Sequence, residues 1–464
     1  KQYVDYVSTT FDIGVQFSVR SDSINVDYSV GKNDITNASS LMNNNVRVPL
    51  GSVTKLWTAV AIMRLVDANK ITLEDPAHQY VDSIIANNTK YDSLQELYNN
   101  DPRVNSITIR DLLGMRSGIR DYDDVSIAQA TIVDNNEARL DPFVLMLESP
   151  RTLNFAPGTS LLYSSLGFQI LGFVLAHFYT DGDWQRMVLQ QLNVAIPSNL
   201  QGEFPNTVFM GNGACSSHEN VSHQYAVFYD ESIGGKIRFI DLYPNTCQNG
   251  FAFGNIASSA GDSANLMYNL FQKKTLVSPQ SLQEMTSIKG WYGLGLEILG
   301  SKSTYNVLGH AGIDYGSGGN VYFESYTNTS IAVTYNVSPG MGTNCSLGSK
   351  NIFAKVYVFL YLMPRAIKEI CEILGLDYTN TYFSTNPAQI ELGPNPPSLQ
   401  CKSDPFNAST STPTSTNEAD WKNLGDYYLS STHINAPPLL FKTNGNNILS
   451  TFELPTSACN RVHG

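Results

Sequence analysis

The chain has 464 residues, a formal net charge of −12 at pH 7, a hydrophobic fraction of 42% and a charged fraction of 15%. This length accommodates one large domain with an appendage, or two domains, and the composition is that of a folded protein rather than a disordered one. The acidic balance and the lack of a basic run argue against nucleic acid as a partner, because lysine and arginine are needed to neutralise phosphates. No apolar run reaches membrane-spanning length, so we expect no membrane span.

The first two predicted elements are a hairpin and a buried helix. Residues 12 to 30 alternate apolar and polar side chains around Ser21-Asp22-Ser23, which predicts a β-hairpin with one buried face. After a turn at Pro49 and Gly51, a helix is predicted to open at Ser52, and it is apolar nearly all round. A helix of that kind belongs in the interior.

Ser52 and Lys55 are three residues apart, so both side chains rise on one face of this helix. A serine nucleophile needs a neighbour that takes its proton, and a buried lysine with a lowered pKa can do so. The alternative is ordinary: serine is a common N-cap, and lysine is common in a solvated first turn.

Residues 78 to 180 are predicted to be largely helical. Within them, 109 to 118 form a short helix that ends on a glycine, and 155 to 159 form a turn. Tyr163 then leads into an apolar helix, 166 to 178, while residues 203 to 254 show no clear pattern.

Strands are predicted to return between Trp291 and Asn336, followed by a helix over 351 to 363. Strands at both ends with helices between them predict an α/β (α+β) fold, in which an antiparallel sheet is flanked by helices and carries an inserted all-helical region. We therefore expect a domain over residues 1–365 with its helical region at about 70–255. Residues 366–464 form a C-terminal extension with a Ser/Thr/Pro-rich linker at about 403–417.

Three short motifs occur in a suggestive order: Gly51-Ser52-Val53-Thr54-Lys55, Tyr163-Ser164-Ser165 and His310-Ala311-Gly312. In order and spacing the chain resembles the serine β-lactamase and penicillin-binding-protein superfamily, and within it the class C β-lactamases and the serine DD-carboxypeptidases. The resemblance extends to residues 112–118, to the Pro157-Gly158 turn and to residues 258–262, and it covers roughly residues 10 to 365.

The resemblance implies a β-lactamase/transpeptidase-like fold and a serine hydrolase without a cofactor. Ser52 would attack an acyl carbonyl and form an acyl-enzyme, with Lys55 beside it. Tyr163, pushed toward phenolate by the lysine ammonium, would be the general base; a buried tyrosine that merely satisfies its hydroxyl is the alternative. The oxyanion would lie between the backbone N–H groups of Ser52 and Ile313. Substrate would contact Ser165, His310, Ala311, Gly312 and Ile313.

Two departures from the family pattern bear on the substrate. The usual Lys-Thr-Gly is His310-Ala311-Gly312 here, and Ser165 replaces the commoner asparagine. A neutral histidine attracts a substrate carboxylate less than lysine does, which argues against efficient β-lactam hydrolysis. We expect a D-Ala-D-Ala carboxypeptidase-like peptidase or a weak β-lactamase whose His310 faces the substrate carboxylate. The alternatives are an esterase or amidase on other small acyl substrates, and a catalytically silent penicillin-binding surface protein.

Two further expectations concern a possible zinc site and the cellular compartment of the protein. Cys215, His218 and His223 have a spacing possible for zinc ligands, but a secreted cysteine is more often in a disulfide, and we expect no metal. Six cysteines and Asn-x-Ser/Thr sequons predict a secreted or lumenal glycoprotein with sequentially paired disulfides. The sequons begin at Asn37, Asn87, Asn220, Asn328, Asn344 and Asn407. A seventh, at Asn336, has a proline just past it, a poor acceptor context.

Overall fold

The structure is a computed structural model. It describes residues 1–11, 13–122, 142–211, 214–230, 236–244, 250–287, 290–299, 306–314, 316–339 and 362–385. The predicted helix over 351–363 and the predicted linker at 403–417 therefore lie outside the described residues, apart from the last two residues of that helix.

The described helices fall mainly between the two groups of strands. They are α1 Gln2–Phe11, α2 Thr54–Asp67, α3 His78–Asn88, α4 Leu94–Leu97, α5 Ile109–Leu113, α6 Pro142–Glu148, α7 Ser165–Tyr179, α8 Trp184–Ala195, α9 Ala260–Met267, α10 Pro279–Thr286, α11 Met363–Leu374 and α12 Tyr382–Thr385. None of these helices combines the length and the apolar character that a membrane crossing requires.

The described strands form one large sheet and two small ones. They are β1 Val15–Arg20, β2 Asn25–Val30, β3 Val48–Pro49, β4 Thr207–Phe209, β5 Tyr225–Asp230, β6 Lys236–Asp241, β7 Ile256–Ser258, β8 Glu297–Leu299, β9 Val307–Ile313, β10 Gly318–Glu324, β11 Thr329–Tyr335 and β12 Val337–Pro339. The large sheet has the order β2-β1-β11-β10-β9-β8, and the small ones have the orders β12-β5-β6 and β3-β7-β4.

The six-stranded sheet is antiparallel throughout and is built from both ends of the chain, as predicted. β1 pairs with β2 as the expected hairpin, and its other edge pairs with β11, so that Val15 lies opposite Tyr335. β9 lies between β8 and β10, with His310 opposite Val321. The predicted antiparallel sheet flanked by helices is confirmed.

α2 runs through the core on one side of this sheet. Its side chains from Thr54 to Met63 are all buried, which its all-round apolar sequence predicted. Thr58 Oγ1 donates to the carbonyl oxygen of Ala252 at 2.7 Å, and Ile256 N–H donates to Thr54 Oγ1 at 3.0 Å. These two hydrogen bonds fix the helix against the segment that enters β7.

The opposite side of the sheet is covered by α1 and α11. α11 places Ile367, Ile370 and Cys371 into a second apolar cluster that includes Tyr322 and Tyr335. The expected domain boundary after residue 365 falls inside this helix. Between Ser52 and Ala195 the described residues are mostly helical, whereas residues 207–258 contribute short strands within the region expected to be all-helical.

Candidate active site

Ser52 lies where a tight turn becomes a helix. Residues Gly51–Val53 form one 3₁₀ turn, so the α-helix begins at Thr54, two residues later than predicted. Gly51 has φ +52°, and a Cβ there would lie 2.1 Å from the Ile313 carbonyl oxygen. Glycine is therefore required at this position, because only it accepts both the left-handed backbone and the close approach of β9.

Lys55 is within hydrogen-bonding distance of Ser52. Its Nζ donates to Ser52 Oγ at 2.9 Å and to the Phe253 carbonyl oxygen at 3.2 Å, and the residue is 0% exposed. Burial lowers the pKa of the Lys55 ammonium to about 7, although the charges of Asp121 and Glu297 oppose this shift. Near neutral pH, Lys55 can therefore be a neutral amine that accepts a proton.

Tyr163 is brought to the same oxygen from a different part of the chain. Leu162 N–H donates to the Met115 carbonyl oxygen at 2.8 Å, and Gly158 N–H donates to the Arg116 carbonyl oxygen at 2.9 Å. The 112–118 segment and the Pro157-Gly158 turn thus hold the strand-like stretch before α7. From there the Tyr163 hydroxyl donates to Ser52 Oγ at 2.8 Å.

The proton on Tyr163 is held more tightly than the sequence suggested. Burial raises the pKa of Tyr163 well above 10; the hydrogen bond with Ser52 lowers it, and the charges of Asp121 and Glu297 raise it further. Lys55 Nζ lies 4.8 Å from the Tyr163 ring centre, where an ammonium would favour a phenolate, but burial and the two carboxylates outweigh that effect, and Tyr163 as general base remains a prediction. Desolvation penalises the anionic tyrosine and the cationic lysine alike, which favours a neutral pair.

β9 passes close to the start of the Ser52 turn. A Cβ on Gly312 would lie 1.9 Å from the Leu50 carbonyl oxygen and 3.0 Å from Ser52 N, so only glycine lets the two backbones meet. Ala311 is buried at 5% exposure, and Ile313, at the end of β9, is half-buried. The backbones of Ser52 and Ile313 are thus neighbours, as an oxyanion site made from both requires.

His310 lies beside Tyr163, and its side chain is buried rather than exposed to solvent. It is 1% exposed, and its ring centre lies 6.2 Å from that of Tyr163. The hydroxyl of Tyr292 lies 3.0 Å from His310 Nε2, and Glu297 Oε1 lies 3.8 Å from His310 Nδ1. A direct contact between His310 and a substrate carboxylate remains a prediction.

Ser165 is the first residue of α7 and is 5% exposed. Its backbone N–H donates to Asp121 Oδ1 at 2.9 Å. Asp121 thus accepts a hydrogen bond at a helix N-terminus, where negative charge is favoured, and its charge also acts on Lys55.

Sequence reasoning missed Asp121, Tyr292 and Glu297. Asp121 belongs to the acidic run Asp121-Tyr122-Asp123-Asp124, to which no role in the site was assigned from the sequence. Glu297 carries the one charge in the otherwise uncharged stretch 292–299, and a lone charge in a buried strand was an available signal. Tyr292 gave no signal, because nothing in the sequence shows that its hydroxyl meets His310.

The competing zinc hypothesis has no support among the described residues. No group of three histidine, cysteine or acidic side chains there is arranged to hold a metal ion. Cys215 takes part in a disulfide whose other cysteine lies outside the described residues. His223 Nδ1 donates to Asp241 Oδ2 at 2.7 Å, and its ring stacks on Tyr243 at 4.0 Å.

Comparison with known proteins shows which proteins share this fold. The Beta-lactamase family model matches residues 13–193, which include Ser52, Lys55 and Tyr163. A D-stereospecific amidohydrolase from Streptomyces sp. has a similar structure, with a TM-score of 0.56 and 21% identity over 72% of this chain and 92% of that one. A D-amino acid amidase from Ochrobactrum anthropi SV3 gives a TM-score of 0.56 with 18% identity, over 73% of this chain and 90% of that one.

Two further similar proteins bear names that do not refer to amide hydrolysis. The octameric penicillin-binding protein homologue from Pyrococcus abyssi gives a TM-score of 0.57 with 18% identity, over 83% of this chain and 79% of that one. A probable fimbrial assembly protein FimD, serogroup H1, from Dichelobacter nodosus is 23% identical over 62% of this chain, and the match spans 66% of that protein. At these identities, the solved structures show a shared fold. The family match to residues 13–193 and the shared fold agree with the resemblance of the motifs to the serine β-lactamase and penicillin-binding-protein superfamily.

Proposed function

We propose that this protein is a serine hydrolase that transfers the acyl group of a small amide or ester to water through Ser52. The observation that carries the proposal is the convergence on one oxygen: Lys55 Nζ and the Tyr163 hydroxyl both lie within 2.9 Å of Ser52 Oγ. A nucleophile flanked by a potential base and a potential acid is what acyl transfer requires.

In the mechanism that we propose, neutral Lys55 takes the proton of Ser52 Oγ as that oxygen bonds to the substrate carbonyl carbon. The carbonyl π pair moves to the oxygen, which accepts hydrogen bonds from the Ser52 and Ile313 N–H groups. Collapse expels the leaving group, which takes a proton from Tyr163, and Tyr163 recovers one from the Lys55 ammonium. Water then repeats the sequence on the acyl-enzyme and releases the acid.

The surroundings of the site favour a small amide or ester over a substrate that is held by its carboxylate. His310 stands where the superfamily usually carries lysine, and its Nε2 is engaged with the Tyr292 hydroxyl. The charges that act on Lys55 are the carboxylates of Asp121 and Glu297, which would repel a substrate anion. Two structural relatives bear the names of amidases. The DD-carboxypeptidase and weak β-lactamase alternatives, which need a carboxylate contact, are the second candidate.

The test is covalent labelling followed by turnover. Incubation with an acyl phosphonate fluorophore should give one adduct by intact mass, and Ser52→Ala should lose it. Ser164→Ala is the matched control, since Ser164 is a buried serine that caps α7. Steady-state rates on D-amino acid amides, short-chain esters, a D-alanyl-D-alanine peptide and a penicillin then rank the substrates. An adduct that persists in Ser52→Ala would refute the mechanism, and a preference for the D-alanyl-D-alanine peptide would refute the amide assignment.

We also propose that the protein is secreted or lumenal and glycosylated. The sequons at Asn37, Asn87, Asn220 and Asn328 are exposed, which supports glycosylation there, while Asn344 and Asn407 lie outside the described residues. Asn336 is 0% exposed, and its Oδ1 accepts the Gly14 N–H at 2.8 Å, so we propose that it is unmodified. Mass spectrometry after glycosidase treatment of protein from a secretory eukaryotic host would test this; a glycan on Asn336, or none on the four exposed sequons, contradicts it.

The expectation of sequential disulfides needs revision. Sequential pairing would join Cys345 to Cys371, yet Cys371 is a buried free thiol. Cys401 and Cys459 lie outside the described residues, so the expected link through the C-terminal extension remains a prediction.

A further inference from the structure

Three aromatic rings form a triangle next to Ser52. The ring centres of Tyr163 and Tyr292 are 6.1 Å apart, those of Tyr292 and His310 are 5.7 Å apart, and those of Tyr163 and His310 are 6.2 Å apart. Tyr292 and His310 are each at most 3% exposed. His310 is therefore a buried titratable group beside Tyr163. The proposed mechanism gives it no role.

The surroundings of His310 determine which of its nitrogens titrates. Nδ1 faces two acceptors, the Ala311 carbonyl oxygen and Glu297 Oε1, and neither can donate a hydrogen to it. Nδ1 therefore carries its hydrogen whether the ring is neutral or charged. Nε2 is the atom that gains or loses a proton, and its partner is the Tyr292 hydroxyl at 3.0 Å.

The Tyr292–His310 hydrogen bond must then reverse when His310 titrates. With neutral His310, Nε2 is a bare acceptor and the Tyr292 hydroxyl donates to it. With charged His310, Nε2–H donates to the Tyr292 oxygen, and the hydroxyl hydrogen of Tyr292 rotates away from Nε2. A tyrosine hydroxyl can do both, because it is a donor and an acceptor at once.

Glu297 is held where it stabilises the charged ring. It is 4% exposed, and its Oε2 accepts the Tyr322 hydroxyl at 2.6 Å and the Ala311 N–H at 3.3 Å. A carboxylate 3.8 Å from Nδ1 favours the imidazolium.

The other titratable and charged groups around His310 are the two tyrosines of the triangle, Lys55 and Asp121. Burial holds the Tyr292 hydroxyl and the Tyr163 hydroxyl in their neutral forms by raising the pKa of each well above 10. Lys55 Nζ lies 4.8 Å from the Tyr163 ring centre, and the charge of Asp121 acts on both Lys55 and Tyr163. A positive charge on His310 would act on Tyr163 through only a few ångströms of protein, where screening is weak.

We propose that Glu297, His310 and Tyr292 form a second proton-linked unit of the active site, with Tyr292 as a positioning residue. Protonation of His310 at Nε2 reverses the Tyr292 hydrogen bond and places a positive charge beside Tyr163. Tyr163 then becomes a better proton donor to the leaving group. This inference rests on the proposed function for its catalytic effect, while the hydrogen-bond reversal itself does not.

The first experiment determines by NMR which His310 ring nitrogen carries the hydrogen, and it needs no substrate. The protein has seven histidines, so ¹⁵N-histidine spectra of the full chain, compared with those of His310→Gln, identify the His310 ring nitrogens. We expect neutral His310 to carry its hydrogen on Nδ1, and Glu297→Gln to lower the pH at which Nε2 titrates. A neutral ring protonated on Nε2, or a midpoint unchanged in Glu297→Gln, overturns the proposal.

The second experiment isolates the leaving-group step. The ratio of kcat/KM for an alkyl amide to kcat/KM for the matched p-nitrophenyl ester cancels the titration of Lys55, because both substrates need the same base. We expect this ratio to rise about tenfold in the wild type as His310 becomes charged, the difference between a neutral and a charge-assisted hydrogen-bond network. In Tyr292→Phe the midpoint of this pH dependence should move to lower pH, because the Nε2–H of charged His310 loses its acceptor.

Tyr335→Phe is the matched control, because it also removes a buried tyrosine hydroxyl but lies on the other face of the sheet. It should keep the wild-type ratio at every pH. If Tyr292→Phe keeps the wild-type pH dependence, the proposal is overturned. If Tyr292→Phe does not fold, Glu297→Gln decides instead, since it must move the midpoint of the ratio to lower pH. Absence of any Ser52 adduct would refute the proposed function alone, and the ¹⁵N spectra would still decide the hydrogen-bond reversal.

Discussion

Polar groups converge on Ser52 Oγ on the α2 side of the six-stranded sheet, whereas buried polar atoms with no partner in the described part of the chain occur on both sides, Trp57 Nε1 of α2 among them. On the face toward α2, Tyr163 and Lys55 both engage Ser52 Oγ, and the imidazole of His310 engages Tyr292. On the opposite face, the Tyr335 hydroxyl and both polar atoms of the Asn320 amide are fully buried without a hydrogen-bond partner among the described residues.

This difference distinguishes a candidate site from buried polar groups that have no role in chemistry. An unpaired buried polar group costs stability without performing any chemistry. Convergence of several groups on the Ser52 oxygen, with pKa values shifted by burial, is what makes the α2 face the candidate site.

The largest expected effect comes from removing Lys55 or Tyr163, the two side chains that contact Ser52 Oγ. Lys55→Met and Tyr163→Phe should each reduce kcat/KM by about 10³-fold, the order of general acid–base catalysis. The double variant should lose little more than either single one, because groups that act as a unit are non-additive. Steady-state kinetics on the best ester would show this, and losses that multiply would mean that the two groups act separately.

The next effect tests the backbone contact between β9 and the Ser52 turn. Gly312→Ala puts a methyl 1.9 Å from the Leu50 carbonyl oxygen and should lower kcat by about 10²-fold, the cost of a lost oxyanion donor. Gly202→Ala is the control, since a Cβ there meets nothing within 4 Å. Unchanged kcat in Gly312→Ala would show that the two backbones do not form the oxyanion site.

The pH dependence tests the base. Because Lys55 must be neutral to accept the Ser52 proton and its pKa is about 7, kcat/KM should be level above that pH. Below it, the rate should fall about tenfold for each further pH unit. A p-nitrophenyl ester is the suitable substrate, since its leaving group needs no proton. A profile that stays level well below pH 7 would exclude Lys55 as the base.

The smallest effect concerns stability. The folded-state pKa of Lys55 lies below its unfolded value of 10.5, so wild-type stability should rise as pH increases from about 7 to about 10.5. Lys55→Met should remove that slope and stabilise the fold by about 2 kcal/mol at pH 7. Tyr335→Phe, on the opposite face, removes a buried hydroxyl with no partner among the described residues and should stabilise the fold by about 1 kcal/mol at neutral pH. Urea unfolding across this pH range measures both, and a destabilised Lys55→Met would contradict the prediction.

Much of the architecture could be predicted from the sequence because its signals are local. The alternating hairpin and the all-round apolar α2 indicated the sheet and the core, while the Ser52–Lys55–Tyr163 set came from the resemblance of the motifs to a known superfamily. The pKa direction of Tyr163 was not accessible, since it depends on how deeply the hydroxyl is buried. The Tyr292–His310 pair was missed for a similar reason: it is a contact between side chains of two separate segments, and neither segment specifies the other.

The pairing of β1 with β11 has a consequence for how the chain acquires its site during synthesis. Val15 and Tyr335 are partners across one ladder, so the hairpin at the amino end has no neighbour on its inner edge until the late strands have left the ribosome. The segment that bears Ser52 is made early, whereas β9, which closes the other side of the oxyanion position, arrives some 250 residues later. A nascent chain would therefore hold Ser52 with an unfinished sheet edge beside it, and the contact between the Ser52 turn and β9 would be among the last features that folding completes.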